Sequence, residues 1–402
     1  MERIRKSIFV FLLALVSLGF MGMPQAQSGF NVTNVNISYN FGQQITFLAQ
    51  LTSSVPIQQA SLSFREVNEQ TTRVVPLMLN SDGSTSYQYD ASQHLIPPFA
   101  IIEFSYQATL TNNQSVTAGP FYFRYDDNRF AWKQLSDGSV TLHWYNGDNV
   151  FGQAALDAAR AGLQNISQTF PVSLSSPVDV YIYSTFDDLV SSLTLGGRQW
   201  EAGHADPSLG IGMLAVAPSD TQSIDLQQLV PHELTHIMLY RFLGDGFNRL
   251  PTWLEEGIAS MEELYPNPDY ASALDAASKN NSLLSFSDLC VSFPADSGRA
   301  YLAFAESQSF VRFLRDTYGN TGLVALTQAY ADGLDCDLGA TRAVGVSLDQ
   351  LEVRWRETVL GQNVAGVAAQ NLLPYIFILG LTLIVPLWGA ISVLARGRKN
   401  AR

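Results

Sequence analysis

Five consecutive residues, His232-Glu233-Leu234-Thr235-His236, have the types and spacing needed to hold a metal ion and to activate water. Residues four positions apart lie on the same face of a helix, so His232 and His236 can offer two imidazoles to one ion. Glu233 is one step round the helix, which places its carboxylate beside the ion. The pattern predicts a catalytic zinc site in which Glu233 takes a proton from water. The competing interpretation is an ordinary amphipathic helix whose apolar residues form a core face.

The third ligand and the start of the motif helix are open at this point. No histidine follows His236, so the third ligand is a carboxylate, a cysteine or a group upstream. Glu255 and Glu256 compete for that position within the segment 253–257. Pro231 directly precedes His232 and either begins the helix or bends it, since proline removes a hydrogen bond inside a helix but costs little at its first position.

The region from about Asp126 to Leu360 resembles the peptidase MA-like family of thermolysin-like, gluzincin metallopeptidases. The resemblance rests on the motif above and on Trp-Leu-Glu-Glu-Gly at 253–257, with further family-like segments at 300–319 and 345–355. It covers more than half of the chain and does not reach the N-terminal region.

The resemblance implies a ligand set and a mechanism. It makes His232, His236 and Glu256 the ligands of one Zn²⁺, with Glu233 as general base in peptide-bond hydrolysis. It also makes Tyr301 a candidate donor to the oxyanion.

The sequence departs from the family pattern at Ser260. The family carries an acidic residue there, four positions after the glutamate ligand, to orient the first histidine. Losing such a partner can cost 10–100-fold in metal affinity or activity. Glu262 or Glu263 could substitute for it. His204 is a second candidate oxyanion donor.

Strand and helix patterns predict two folded domains. Residues 28–125 alternate apolar and polar side chains in about seven short segments, which predicts an all-β, immunoglobulin-like sandwich. Residues 126–360 have strands first and helices later, typical of an α+β metallopeptidase domain. Within that domain, 213–217 is interpreted as the edge strand that lines the cleft.

The two ends predict targeting segments. Residues 1–27 have basic residues before an apolar run, which is typical of a signal peptide, with an uncleaved anchor as the alternative. Residues 361–371 form a linker, and 372–394 have no charge and predict one C-terminal transmembrane helix. The basic residues at 395–402 then predict a cytoplasmic tail, a single-pass location in the cell membrane and an extracytoplasmic catalytic domain. The short apolar stretch around the motif excludes an intramembrane protease.

Charge and cysteine content limit the partners. The net charge of −13 disfavours binding to nucleic acid. The family resemblance implies a peptide or protein substrate as the partner, besides the membrane. Cys290 and Cys336 are the two cysteines, and they could form one disulfide in an oxidising compartment. No feature predicts an oligomeric state.

The sequence therefore predicts a membrane-anchored, extracytoplasmic zinc metallopeptidase. The alternative is a catalytically weak or inactive peptidase-fold surface protein that acts in binding or adhesion through its β-sandwich. The intact Glu233 favours the peptidase, because a protein without catalysis has no chemical need for the base.

Overall fold

The structure is a computed structural model. It describes residues 29–174, 176–193, 203–362 and 372–380, together with 382, 384 and 388. These residues form two compact units that divide between Phe130 and Ala131, except that the described residues 192 and 193 group with the first unit.

The first unit is a two-sheet antiparallel β-sandwich. Its seven strands are β1 (Asn31–Asn40), β2 (Gln44–Thr52), β3 (Ile57–Glu66), β4 (Arg73–Leu77), β5 (Ser84–Asp90), β6 (Ile101–Leu110) and β7 (Ser115–Arg124). The sheets have the strand orders β1-β2-β5 and β4-β3-β6-β7. Buried and partly exposed residues alternate along β2, which turns Phe47 into the core against Phe64 and Phe104 at ring distances of 5.2 and 5.4 Å. A β-rich region that precedes a domain of mixed strands and helices agrees with the predicted order.

The second unit begins with a mixed sheet. Its strands are β8 (Lys133–Ser136), β9 (Val140–Trp144), β10 (Val178–Tyr183), β11 (Gly203–Asp206) and β12 (Ile211–Ala215). They lie in the order β11-β12-β10-β9-β8, with β9, β10 and β12 parallel and both outer strands antiparallel. The predicted edge strand at 213–217 is wrong, because β12 is hydrogen-bonded on both sides. In the part of the chain that the structure describes, β11 occupies that edge.

Helices account for most of the second unit. They are α1 (Asn149–Thr169), α2 (Phe186–Ser192), α3 (Gln222–Leu243), α4 (Thr252–Met261), α5 (Asp269–Asn280), α6 (Ser297–Ala331), α7 (Cys336–Val344) and α8 (Leu348–Thr358). Residues of α1 and α3 share a core with the parallel strands. The Asp148 carboxylate accepts the N–H groups of Val150 and Phe151, which caps α1.

Helix α4 packs closely against buried aromatic side chains and against α6. Trp253 is fully buried, with ring centroids 5.5 Å from Phe286 and 5.2 Å from Phe310. A Cβ on Gly257 would lie 2.6 Å from the carbonyl oxygen of Ser307. Glycine there lets the backbones of α4 and α6 approach closely, and this fixes the helix that carries Glu255 and Glu256.

Cys290 and Cys336 form a disulfide with Cα atoms 6.4 Å apart. It joins the 3₁₀ turn Asp288–Cys290 to the first residue of α7. The next residue, Val291, accepts a 3.0 Å hydrogen bond from the hydroxyl of Thr252 at the start of α4. The disulfide therefore anchors a loop that contacts α4.

The predicted transmembrane helix at 372–394 is wrong. Across the described ranges, no helix combines the length and the apolar character needed to cross a membrane. Residues 372–380 are helical. The rest of the predicted span lies mostly outside the described residues. The expected single-pass location with an extracytoplasmic catalytic domain, and membrane attachment through this helix, are wrong with it.

Three other predicted segments lie mostly or wholly outside the described residues. These are the signal peptide at 1–27, the linker at 361–371, of which 361 and 362 are described, and the basic tail at 395–402.

Candidate metal centre

Helix α3 carries the motif residues in the geometry that their spacing predicts. His232 and His236 lie one turn apart, with ring centroids 5.1 Å from each other. Both rings are largely buried, with 12% and 9% of their side chains exposed. Pro231 lies inside α3, which begins nine residues earlier at Gln222. The two imidazoles are thus presented from the middle of a long helix.

Glu256 of α4 meets the two histidines. Its Oε2 lies 3.3 Å from Nε2 of His232 and 3.8 Å from Nε2 of His236. Ligand atoms from the three residues all lie within 4.8 Å of one another. The structure brings Glu256, and not Glu255, to the Nε2 side of the pair.

Two further carboxylates hold the opposite nitrogens. Glu263 Oε1 lies 3.2 Å from Nδ1 of His232, and Glu255 Oε1 lies 2.9 Å from Nδ1 of His236. A carboxylate that accepts from Nδ1–H fixes the imidazole tautomer and leaves Nε2 free to bind a metal. Each predicted histidine ligand therefore has its own orienting partner.

The sequence offered Glu262 or Glu263 as the partner of His232 without choosing between them, and it gave Glu255 no orienting role. Ser260 is buried, and its carbonyl accepts a 2.6 Å hydrogen bond from Gln308. Glu263 lies seven positions after Glu256, beyond the end of α4 at Met261. Its role depends on how the chain turns after the helix, which no local pattern reveals.

The carboxylates make the cluster favourable for positive charge. Burial lowers the pKa of His232, but the hydrogen bonds with Glu256 and Glu263 outweigh burial and raise this pKa well above its ordinary value. Burial also lowers the pKa of His236, and the contacts with Glu255 and Glu256 raise it to about 9. A divalent cation would meet the same negative potential and displace the protons.

The donor set fits zinc. Two atoms that bind one zinc ion at about 2.0–2.2 Å lie at most about 4.4 Å apart, and the separations of 3.3 and 3.8 Å satisfy this limit. Two imidazole nitrogens and one carboxylate oxygen make an open, three-ligand site of the catalytic kind. His232, His236 and Glu256 would hold the ion.

Glu233 lies in a recess formed by two glycines of the sheet. It is 4% exposed. A Cβ on Gly203 of β11 would overlap Oε1 of Glu233 and lie 2.7 Å from its Cδ, and a Cβ on Gly212 of β12 would lie 3.3 Å from its Cβ. Glycine at both positions leaves room for the carboxylate beside the sheet edge.

The family model of the Peptidase MA superfamily matches residues 158–361, just over half of the chain. The match includes the motif helix, Glu256 and both orienting carboxylates. The chain belongs to the Peptidase MA superfamily. The predicted family is therefore confirmed, and the chain is a peptidase-fold protein.

Three solved structures that resemble this Peptidase MA member have low TM-scores and low sequence identity. An aminopeptidase N family protein from Idiomarina loihiensis is 8% identical, with 85% of this chain and 75% of that chain covered and a TM-score of 0.34. A carbohydrate-binding module family 56 β-1,3-glucan binding domain is 18% identical over 23% of this chain and 99% of that chain, with a TM-score of 0.17. A structure titled as a myokine is 13% identical over 24% and 95%, with a TM-score of 0.20. No curated protein matches the chain. Scores this low support no functional argument.

In this Peptidase MA chain, the group formed by His232, His236 and Glu256 opens into a cleft of about 560 Å³. Its lining includes His204 and Tyr301, both named from the sequence, and Tyr270, which was not. The Tyr301 hydroxyl donates to Oδ1 of Asn267 at 3.2 Å, and the rings of Tyr301 and Tyr270 are 5.1 Å apart. Burial raises the pKa of Tyr270, and the charges of Glu263 and Glu256 raise it further, so this hydroxyl keeps its proton. Two tyrosines, Tyr270 and Tyr301, therefore line the same cleft as the histidines.

Proposed function

We propose that this chain is a zinc-dependent peptidase that hydrolyses peptide bonds with Glu233 as general base. The observation that supports this most strongly is the opposed arrangement of the histidine nitrogens. Both Nδ1 atoms face carboxylates, while both Nε2 atoms face Glu256. This arrangement prepares two neutral imidazoles for one cation, and a simple core helix has no need of it.

When bound by His232, His236 and Glu256, a zinc ion would supply Lewis acidity toward water and the scissile carbonyl. Glu233 would accept the proton of the attacking water and pass it to the leaving amine. The glycine recess keeps that carboxylate in place, because a side chain at 203 would occupy its position. Glu263 and Glu255 would hold the imidazoles in the tautomer that leaves Nε2 available.

Negative charge on the substrate carbonyl oxygen needs a donor from the protein. Tyr301 and Tyr270 are the two candidates, because both residues line the same cleft as the proposed metal ligands. The substrate would be a peptide or protein segment. An extended segment could pair with β11, because this edge strand lines the same cleft through Gly203–Ala205.

The test compares the wild-type chain with Glu233→Gln, which keeps the shape of the side chain and removes its basicity. Both proteins are measured for zinc content and for cleavage of a mixed peptide library. We expect equal zinc in both and cleavage by the wild type alone. Zinc in both with cleavage by neither would instead favour the binding or adhesion role, and cleavage by Glu233→Gln at the wild-type rate would exclude Glu233 as the base.

A further inference from the structure

Pro231 changes the hydrogen bonding of α3 one residue before the first histidine. Proline has no N–H, so the carbonyl of Gln227, four residues earlier, has no helical donor at position 231. That carbonyl instead accepts the N–H of Leu264 at 2.9 Å. The missing helical hydrogen bond thus becomes a tertiary one between α3 and the segment that follows α4.

Helix α1 holds the same segment from the other side. Glu262, the residue directly after α4, accepts a 2.7 Å hydrogen bond from the Thr169 hydroxyl through its buried carboxylate. Its carbonyl accepts a 3.4 Å hydrogen bond from the side-chain amide of Asn165. Residues 262 and 264 are therefore both fixed.

The same face of α1 also contacts Pro231. Gly162, Asn165 and Thr169 follow helical spacing. A Cβ on Gly162 would lie 2.8 Å from Cβ of Pro231, so glycine is what lets α1 approach the proline ring. One face of α1 thus contacts Pro231 and Glu262, which lie on the two segments that the Gln227–Leu264 hydrogen bond joins.

Glu263 lies between the two fixed residues. Its side chain is 8% exposed and lies 3.2 Å from Nδ1 of His232. We infer that Pro231 is a positioning residue for the metal site: it leaves the Gln227 carbonyl to Leu264, and so sets Glu263 against His232. This inference rests on the proposed metal site. It accounts for Ser260, because the acid that orients His232 comes from a segment that the proline anchors.

The energetic consequence runs in two opposite directions. A proline inside a helix is destabilising relative to alanine, so Pro231→Ala favours the helix. The N–H that this substitution introduces at position 231 competes with Leu264 for the Gln227 carbonyl, which releases the 262–264 segment. We expect the unfolding temperature of the zinc-free protein to stay level or rise, while zinc affinity falls. A purely structural role for Pro231 would lower both.

The test is zinc competition against a chromophoric chelator on the full chain, for wild type, Pro231→Ala, Glu263→Gln and the double variant. We expect Glu263→Gln to weaken zinc binding about 10–100-fold, in the range for such orienting partners. Pro231→Ala should weaken it at least about 3-fold and no more than Glu263→Gln does, with no further loss in the double variant. Pro268→Ala, just before α5, is the matched control and should bind zinc like the wild type.

Two results overturn the inference: wild-type zinc affinity in Pro231→Ala, or an equal loss from that substitution with and without Glu263. Hydrogen exchange on the zinc-free wild type gives a second test that needs no variant. The Leu264 amide should be protected, and exchange at the rate of an open loop would also overturn the inference. Failure of peptide cleavage would affect the proposed function alone, because neither readout depends on catalysis.

Discussion

The two compact units bury different kinds of side chain. The β-sandwich packs aromatic and aliphatic side chains, and Asp127 is its buried carboxylate among the described residues, held by two hydrogen bonds from the side chain of Arg129. The second unit buries four carboxylates in its described part: Glu233, Glu262, Glu306 and Glu352. Burying a charge costs free energy unless partners compensate for it. The comparison teaches that the sandwich core depends mainly on apolar packing, whereas the second unit also buries carboxylates that need partners, as when Glu306 and Glu352 accept the N–H groups of Leu284 and Phe286.

The largest expected effect separates Glu256 from its neighbour Glu255. If Glu256 is the ligand and Glu255 orients His236, Glu256→Gln removes a metal bond and Glu255→Gln removes only an outer hydrogen bond. We expect the second variant to lose about 10–100-fold in zinc affinity, and the first to lose clearly more. Chelator competition on the two variants measures this, and a reversed order would make Glu255 the ligand.

Phe47→Ala tests whether the sandwich depends on packing alone. Phe47 is 1% exposed and contacts Phe64 and Phe104, so we expect a loss of about 3–5 kcal/mol in the free energy of unfolding. Val74, on β4, is 61% exposed, and Val74→Ala should change this free energy by less than about 0.5 kcal/mol. Denaturant unfolding measures both variants. Zinc affinity should not change in either variant. A loss of zinc affinity in Phe47→Ala would contradict the independence of the β-sandwich and the metal site.

Glu306 gives the second unit a pH dependence. Burial raises the pKa of Glu306 to about 8, and Glu352 raises it too, against the lowering effects of the Leu284 N–H and Arg356. The folded protein therefore keeps a proton that the unfolded chain releases near pH 4.5. This contribution to stability is complete below that pH and is lost as pH rises through about 8, at roughly 1 kcal/mol per pH unit.

Thermal unfolding from about pH 5 to 9 measures this dependence. Glu306→Gln should flatten the loss between about pH 6 and 8, because glutamine can still accept from Leu284 and has no proton to release. An unchanged slope in the variant would assign the dependence to another group.

The smallest expected effect is at Tyr301. Its ring is 36% exposed, and its hydroxyl already donates to Asn267. We expect Tyr301→Phe to lower kcat/KM by less than about 10-fold, whereas loss of an oxyanion donor costs about 10²–10³-fold. Tyr270→Phe is the matched comparison in the same peptide assay. A larger loss for Tyr301→Phe than for Tyr270→Phe would assign the donor role to Tyr301.

Features that depend on a single helix or strand could be predicted from local sequence patterns. The spacing of His232 and His236 depends only on helix geometry, and the alternation in β2 depends only on the pleat of a strand. The family followed from short motifs of the same kind. These features were predictable because a few adjacent residues determine each of them.

Features that depend on distant elements could not be predicted. Glu263 reaches His232 because the chain turns after α4, and that turn depends on Pro231 and on α1. The glycine recess around Glu233 requires β11 and β12 to lie against α3. The predicted transmembrane helix at 372–394 was wrong as well: that prediction used apolar composition alone, and no helix among the described residues is long and apolar enough to cross a membrane.

The zinc content of the purified full chain tests the central claim most directly. Elemental analysis should find one zinc ion per chain in the wild type after dialysis against metal-free buffer. The His232→Ala/His236→Ala double variant should hold none, while its β-sandwich unfolds like that of the wild type. A wild type without zinc, or a double variant that keeps it, would contradict a metal centre built by α3 and α4.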